Sequence, residues 1–381
     1  FGPGYRYIAT PAVSAGWVIS EENFMKSSGA DWLSYLKLRA SWGSLGNERI
    51  STGFPYMATI AFGNALFYEN GIVTSDGTAA QKEYAVENVT WETTESTDIG
   101  LDAVFLKNRL RVTADYYWKK TKDMLLPVQI PVFLGMDNPY VNAGKMSTKG
   151  FDLDLGWNDR IGEVQYNVSL NLSEYKTKMG NLKGTQFLGD KVKMEGSGFD
   201  EWYGYLSDGL FLSEDDLNNS PVINSNTKVG EFKYKAIPGQ DGVPDVKISP
   251  EYDRVLRGDS QPHFLDGVNI SSSYKGFDLS MAFQGIGRQW VRMEREMVEP
   301  LRNNYGNIPQ LLDGNYWSPF NTDEQNAKAT YPRLSRTNIE SNMTMSDFWL
   351  YKGRYLRLKN LTIGYTIPQS ITEKVGIKKV R

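Results

Sequence analysis

One histidine, His263, and no cysteine bound most of the chemistry open to this 381-residue chain. A Ser-His-Asp mechanism would have to run through His263. Zinc sites of the Cys/His kind and disulfide frameworks are excluded. His263 follows Pro262 just ahead of a strand pattern, so a structural or surface role is its default reading. The acids Glu214, Asp215 and Asp216 are neighbours in sequence. A glycosidase pair needs two carboxyls about 5–9.5 Å apart across a cleft. Behind Ser213 these acids read instead as the first turn of a short helix, with Ser213 as its cap. No catalytic residue is assigned, and an enzyme is not expected. Asp241, Gly242 and Asp245 supply the oxygens and turn glycine that a hard cation uses. A hard cation needs several closely spaced oxygens, and these two acids are few. A plain turn is therefore favoured, with a structural calcium on Asp241 and Asp245 as the alternative, and no other cofactor is expected. Arg288, Arg292, Arg295 and Arg302 alternate with Glu294, Glu296 and Glu299, a pattern for a short solvated helix held by ion pairs. Trp202, Tyr203, Tyr205, Trp290, Tyr316 and Trp317 fall in or beside long Gly- and Asn-rich segments. Flat rings suit sugar faces, peptide side chains or a partner protein. Packing of the loops on one another is their simpler use.

The elements that must carry these residues are β-strands. Net charge is −3, which offers no field to attract nucleic acid. Aromatic residues make up 13% of the chain. No run approaches the ~20 apolar residues of a membrane helix, but a barrel strand needs only ~9–11, with alternate side chains meeting lipid. The opening Phe1-Gly2-Pro3-Gly4 has neither the charge nor the apolar stretch of a signal peptide, so the chain reads as mature, truncated or both.

Strict alternation dominates. Leu110, Val112, Ala114, Tyr116 and Trp118 share one face, opposite Arg111, Thr113, Asp115, Tyr117 and Lys119. Leu153, Leu155 and Trp157 follow the same rule, as do Tyr166, Val168 and Leu170. These eleven residues are the expected lipid-facing set, with Trp118, Trp157 and Tyr166 as edge aromatics. A third hairpin turns at Lys275-Gly276. Single strands are expected at 10–19, 36–42 and 355–367, the last shifting phase near Lys359-Asn360 through a β-bulge. About nine strands result, with the start of a tenth at 377–381. Short links at 106–109, 159–162 and 275–276 alternate with long segments at 47–90, 127–144, 178–262 and 289–352. Outer-membrane barrels segregate their connections in this way. The reading is all-β: a transmembrane antiparallel β-barrel with short periplasmic turns and long extracellular loops. The alternative is a soluble or surface glycan-binding β-sandwich.

Several stretches resemble the SusC/RagA-like TonB-dependent transporters of Bacteroidetes outer membranes. They are Ser14-Ala-Gly-Trp-Val-Ile-Ser-Glu-Glu, Tyr35-Leu-Lys-Leu-Arg-Ala-Ser-Trp-Gly with Gly46-Asn47, Trp91-Glu-Thr-Thr and Asp98-Ile-Gly-Leu-Asp. Asn108-Arg-Leu with Asp115-Tyr-Tyr, Lys149-Gly-Phe-Asp, Gly276-Phe-Asp-Leu-Ser and Tyr355-Leu-Arg-Leu-Lys-Asn-Leu-Thr-Ile-Gly-Tyr-Thr-Ile-Pro follow. Their order and spacing cover nearly the whole chain. The resemblance implies a barrel of about 22 strands closed around an N-terminal plug. Residues 1–381 would be part of that single barrel domain, with the plug, the earlier strands and the last strands supplied by the remainder of the same barrel. It also implies import of oligosaccharides or peptides, coupling to TonB, a SusD-like surface lipoprotein as partner, and an outer-membrane location. Family members carry an Asp/Asn/Gly-rich run resembling a calcium loop near Asp241.

Overall fold

The computed structural model describes residues 2, 4–49, 55–82, 84–128, 130–238, 247–293, 295–298, 307–335 and 340–381. Among them, nine strands pair side by side in one sheet. In chain order these are β1 (Ala12–Val18), β2 (Leu33–Asn47), β3 (Glu92–Phe105), β4 (Leu110–Pro127) and β5 (Tyr140–Ile161). They continue with β6 (Val164–Met179), β7 (His263–Tyr274), β8 (Phe277–Arg288) and β9 (Tyr355–Tyr365). Every neighbour pairing is antiparallel and follows chain order. A sandwich would require a second large sheet stacked on the first. The described residues instead place nine strands in a single open sheet, and their other sheets have only two to four strands.

Connections at one end are short. Leu106, Lys107 and Asn108 turn with φ of 56°, 57° and 68°, and Lys275-Gly276 turns with φ of 45° and 88°. Both Lys275 and Gly276 are left-handed, as the tight turn matching sheet twist requires. The middle hairpin closes later than the alternation suggested. Asp159, Arg160 and Ile161 still pair with Tyr166, Gln165 and Val164, so the turn is Gly162-Glu163 and not 159–162. The other end carries the long segments 48–91, 180–262 and 289–354 and a shorter one at 128–139.

Register keeps the two faces distinct. Leu110, Val112 and Ala114 lie opposite Trp157, Leu155 and Leu153. Leu153, Leu155 and Trp157 lie opposite Leu172, Leu170 and Val168. Because side chains alternate, a slip of one residue would invert every row. Aromatics gather where this apolar face ends. At the turn end Trp157 Nε1 donates to the Tyr166 hydroxyl at 3.3 Å, and the Phe277 and Tyr365 rings lie 4.5 Å apart. At the loop end Tyr116 and Trp118 lie 6.1 Å apart. Between Leu110 and Trp118 the strand climbs about 27 Å, roughly 20 Å of height at the usual barrel tilt.

The opposite face is polar. Arg39 on β2 reaches Asp102 on β3 at 2.8 Å and Asp115 on β4 at 2.9 Å. Arg39 and Asp115 flank Gly100 in one row across three strands. A Cβ on Gly100 would stand 2.2 Å from Asp115 Oδ1 and 2.7 Å from Arg39 Cζ. The missing side chain is what lets the ion pair pass over β3. Tyr117 lies over Gly150 in the same manner, its hydroxyl 2.5 Å from where a Cβ would sit.

The phase shift expected in β9 is present. Ala282 pairs with Asn360 and Phe283 with Leu358, leaving Lys359 as the bulged residue. The expected tenth strand is not. Segment 377–381 forms no ladder: Gly376 is left-handed, Ile367 N meets Val380 O at 3.0 Å, and Arg381 pairs with Asp278.

The long segments have structure of their own. Ile60–Glu69 and Ile72–Gln81 form a separate hairpin around Asn70-Gly71. The two longest segments share one core built from Tyr205, Leu210, Phe232, Tyr234, Ile248, Val298, Met343 and Trp349. Tyr234 donates to Ser341 O at 2.6 Å and Phe232 N donates to Asn342 Oδ1 at 2.9 Å. Burial pushes the Tyr234 and Tyr205 phenols above the ordinary tyrosine range. An unfolded phenol ionises near pH 10. Above that pH the unfolded chain binds fewer protons than the folded one, so stability falls as pH rises. The loop unit should hold full stability below about pH 10 and lose it progressively above. Tyr234→Phe should cost about 1 kcal/mol at neutral pH and reduce that alkaline slope, as measured by tryptophan fluorescence during alkaline titration.

Candidate functional site

The shared loop core supports a cavity of about 330 Å³. Asp190, Tyr203, Arg254, Arg292, Arg295 and Glu340 line it. Each polar side chain is held by a partner from a distant segment. Arg292 pairs with Asp190 and donates to Met343 O at 2.6 Å. Arg295 makes two bonds of 3.2 Å to Glu340. Arg254 lies 4.8 Å over the Tyr203 ring and donates to Pro250 O at 2.8 Å. Guanidinium groups fixed in this way present planar donors beside a flat ring, an arrangement that can bind carboxylates, amides or sugar hydroxyls. Among the described residues, no three His, Cys, Asp or Glu side chains gather closely enough to hold a metal ion. Asp241 and Asp245 lie outside the described residues.

The six aromatic candidates separate in space. Tyr203 and Tyr205 both line the cavity, Tyr205 being 3% exposed and part of the loop core. Trp202 Nε1 donates to Trp290 O at 2.8 Å, and Lys191 Nζ lies 4.6 Å over the Trp202 ring. Trp317 packs against the loop core and over Gly230, while Tyr316 forms a bridge with Tyr331. The arginines expected along one helix behave differently. Arg295–Val298 is helical, but Arg292 and Arg295 pair with other segments of the loops. Arg302, Glu294 and Glu299 lie outside the described residues. The Ser213 cap is as expected: its hydroxyl accepts from Asp216 N at 3.1 Å, and Lys233 holds Asp216 below the usual carboxylate range.

His263 joins the loops to the wall. Its Nδ1 lies 3.0 Å from Glu174 and its Nε2 2.9 Å from Asp259, with the side chain only 3% exposed. Glu174 also accepts from Phe264 N at 2.7 Å. A histidine bound on both nitrogens by carboxylates from β6 and the loop is structural.

The model of the family described as TonB dependent receptor-like, beta-barrel matches residues 2–378. The chain belongs to this family. It is 27% identical over 401 residues to TonB-dependent receptor P3 of Formosa agariphila, covering 100% of this chain and 37% of that protein. It is 26% identical over 380 residues to TonB-dependent receptor SusC of Bacteroides thetaiotaomicron, covering 96% of this chain and 35% of SusC. The structure of the RagAB peptide transporter superposes with a TM-score of 0.75 at 22% identity, covering 100% of this chain and 39% of that one. The chain thus spans little more than a third of the length of these relatives. As a TonB-dependent receptor-like β-barrel, the sheet is part of a transmembrane wall in the bacterial outer membrane. Its short turns at one end and long loops at the other match the periplasmic and extracellular connections of such barrels. The relatives are receptors and transporters and not enzymes.

Proposed function

We propose that this chain supplies wall and extracellular loops to an outer-membrane importer of oligosaccharides or peptides. TonB supplies the coupling, and a SusD-like surface lipoprotein works over the loops. The plug and remaining strands belong to the rest of the same longer barrel protein. The rows led by Leu110 on β4, Leu153 on β5 and Tyr166 on β6 face lipid, and the polar rows face a wet lumen. One observation carries this reading: a single two-faced sheet whose connections are short at one end and long at the other. A passive wall of that kind needs no catalytic group, and the loops provide the specificity.

Substrate meets the loops at the cavity, where Tyr203 and Arg254 stack. Tyr203→Ala and Arg254→Ala should each weaken substrate binding about tenfold, the loss of one stacked or charge-assisted contact. Neither should alter membrane insertion. Calorimetry on the purified transporter, with oligosaccharides and peptides in separate titrations, measures this. Growth of a strain lacking the gene on single polysaccharides or on peptides decides the class. Unimpaired growth on every such source would remove the import reading.

A further inference from the structure

On the face that carries the apolar rows, β4–β6 change from hydrocarbon to lysine toward the extracellular end, with Glu174 between the two zones on β6. Trp118 lies opposite Lys149, and Lys149 lies opposite Lys176. One step further out, Lys120 lies opposite Ser147, and Ser147 opposite Lys178. Lys122 and Lys145 follow. All six lysines are exposed. Lys122 pairs with Glu95 at 2.8 Å. Among the described residues, the other five make no ion pair. Lys120, Lys122, Lys145 and Lys178 border a hollow of about 400 Å³, with Glu195 at its rim.

Two features of this cluster ask for an anion. Lys149 and Lys176 are direct cross-strand partners, and like charges so placed repel. The hollow gathers further ammonium groups where a multivalent anion could touch several at once. A third feature selects the anion. Directly below, on the same face, lie Tyr116, Phe151, Leu153, Leu170 and Leu172; Glu174, opposite Phe151, is taken up by His263 Nδ1 and Phe264 N. A molecule filling both zones has negative charge above and hydrocarbon below.

We propose that this cluster binds the phosphorylated headgroup of an outer-leaflet lipid, whose acyl chains lie along the apolar rows. The inference rests on the reading that those rows face lipid. It adds a lipid site on the outside of the wall, separate from the loop cavity.

The test uses the whole transporter and a triple variant, Lys149→Gln, Lys176→Gln, Lys178→Gln. The probes are lipid A with its phosphates, the same lipid A after phosphatase treatment, and inorganic phosphate. Native mass spectrometry measures retention, and thermal melting measures protection. Wild type should prefer the phosphorylated lipid at least about tenfold, because lysines near the surface attract its anionic headgroup. The variant should lose that preference. In lipid-free detergent the variant should be at least as heat-stable as wild type, because the Lys149–Lys176 repulsion is gone. Equal retention of the two lipids by wild type, or an unchanged preference in the variant, overturns the inference. Equal protection by inorganic phosphate assigns the cluster to a soluble anion and also overturns it. Failure of the wild type to enter vesicles strikes the lipid-facing reading itself. An inserted barrel with no phosphate preference strikes this inference alone.

Discussion

Leu153→Arg and Leu170→Arg should each destabilise the barrel in vesicles by about 2–4 kcal/mol, the cost of a cation near the bilayer midplane. Asn167→Arg and Ser169→Arg should cost less than about 1 kcal/mol, because a charge on a watered face keeps its solvation. The contrast is internal to one hairpin. Leu155 is the cross-strand partner of Leu170, and Gly156, its neighbour in sequence, is the partner of Ser169. Asn167 already bonds Asn158 across the strands, and Asn269 bonds Ser169 at 3.3 Å. Both comparators therefore sit on a face built from polar contacts. Denaturant titration of vesicle-folded protein, followed by heat-dependent gel mobility, gives the four values. Equal losses in the two sets would mean that the faces do not differ in solvent.

Arg39→Met should cost about 2–3 kcal/mol, because it leaves Asp102 and Asp115 facing each other without a cation. The loss stays below the roughly 3–5 kcal/mol of a fully buried pair, since the three side chains are 32%, 29% and 20% exposed. Gly100→Leu should cost a similar amount, about 2–3 kcal/mol, because a side chain there occupies the path of the ion pair. The two changes remove one interaction. The double variant should thus lose little more than the worse single variant, a strongly non-additive cycle. Additive losses would show that the pair does not depend on the gap at Gly100.

The wall was legible because lipid and lumen impose a period of two on every strand that crosses them. That constraint revealed Leu110 to Trp118, the partner rows on β5 and β6, and even the bulge at Lys359. Where the constraint ends, so does the signal. β5 begins at Tyr140, through a Gly-, Ser- and Lys-containing stretch that alternation does not mark as strand. The hairpin at Ile60–Glu69 and Ile72–Gln81 had a usable cue in Asn70-Gly71, the dipeptide favoured where two successive residues are left-handed. The loop core had no local cue. Phe232 bonds Asn342 across 110 residues of chain, and Ser207 bonds Asp347 across 140. Arg292 and Arg295 stood out as a cluster, but Asp190 and Glu340 lie far from them in sequence. Such pairs follow from tertiary packing and leave no periodic trace. The passage of Arg39 over Gly100 is similarly hidden, since it depends on register across three strands.

The most direct test places a nitroxide in turn at positions 166–173 of β6 in the whole transporter, reconstituted in vesicles. Accessibility to oxygen, which concentrates in lipid, is compared with accessibility to a water-soluble nickel chelate. Oxygen should peak at 166, 168, 170 and 172, and the nickel chelate at 167, 169, 171 and 173. Profiles that rise and fall together, or that show no period of two, would contradict a wall with lipid on one side and water on the other.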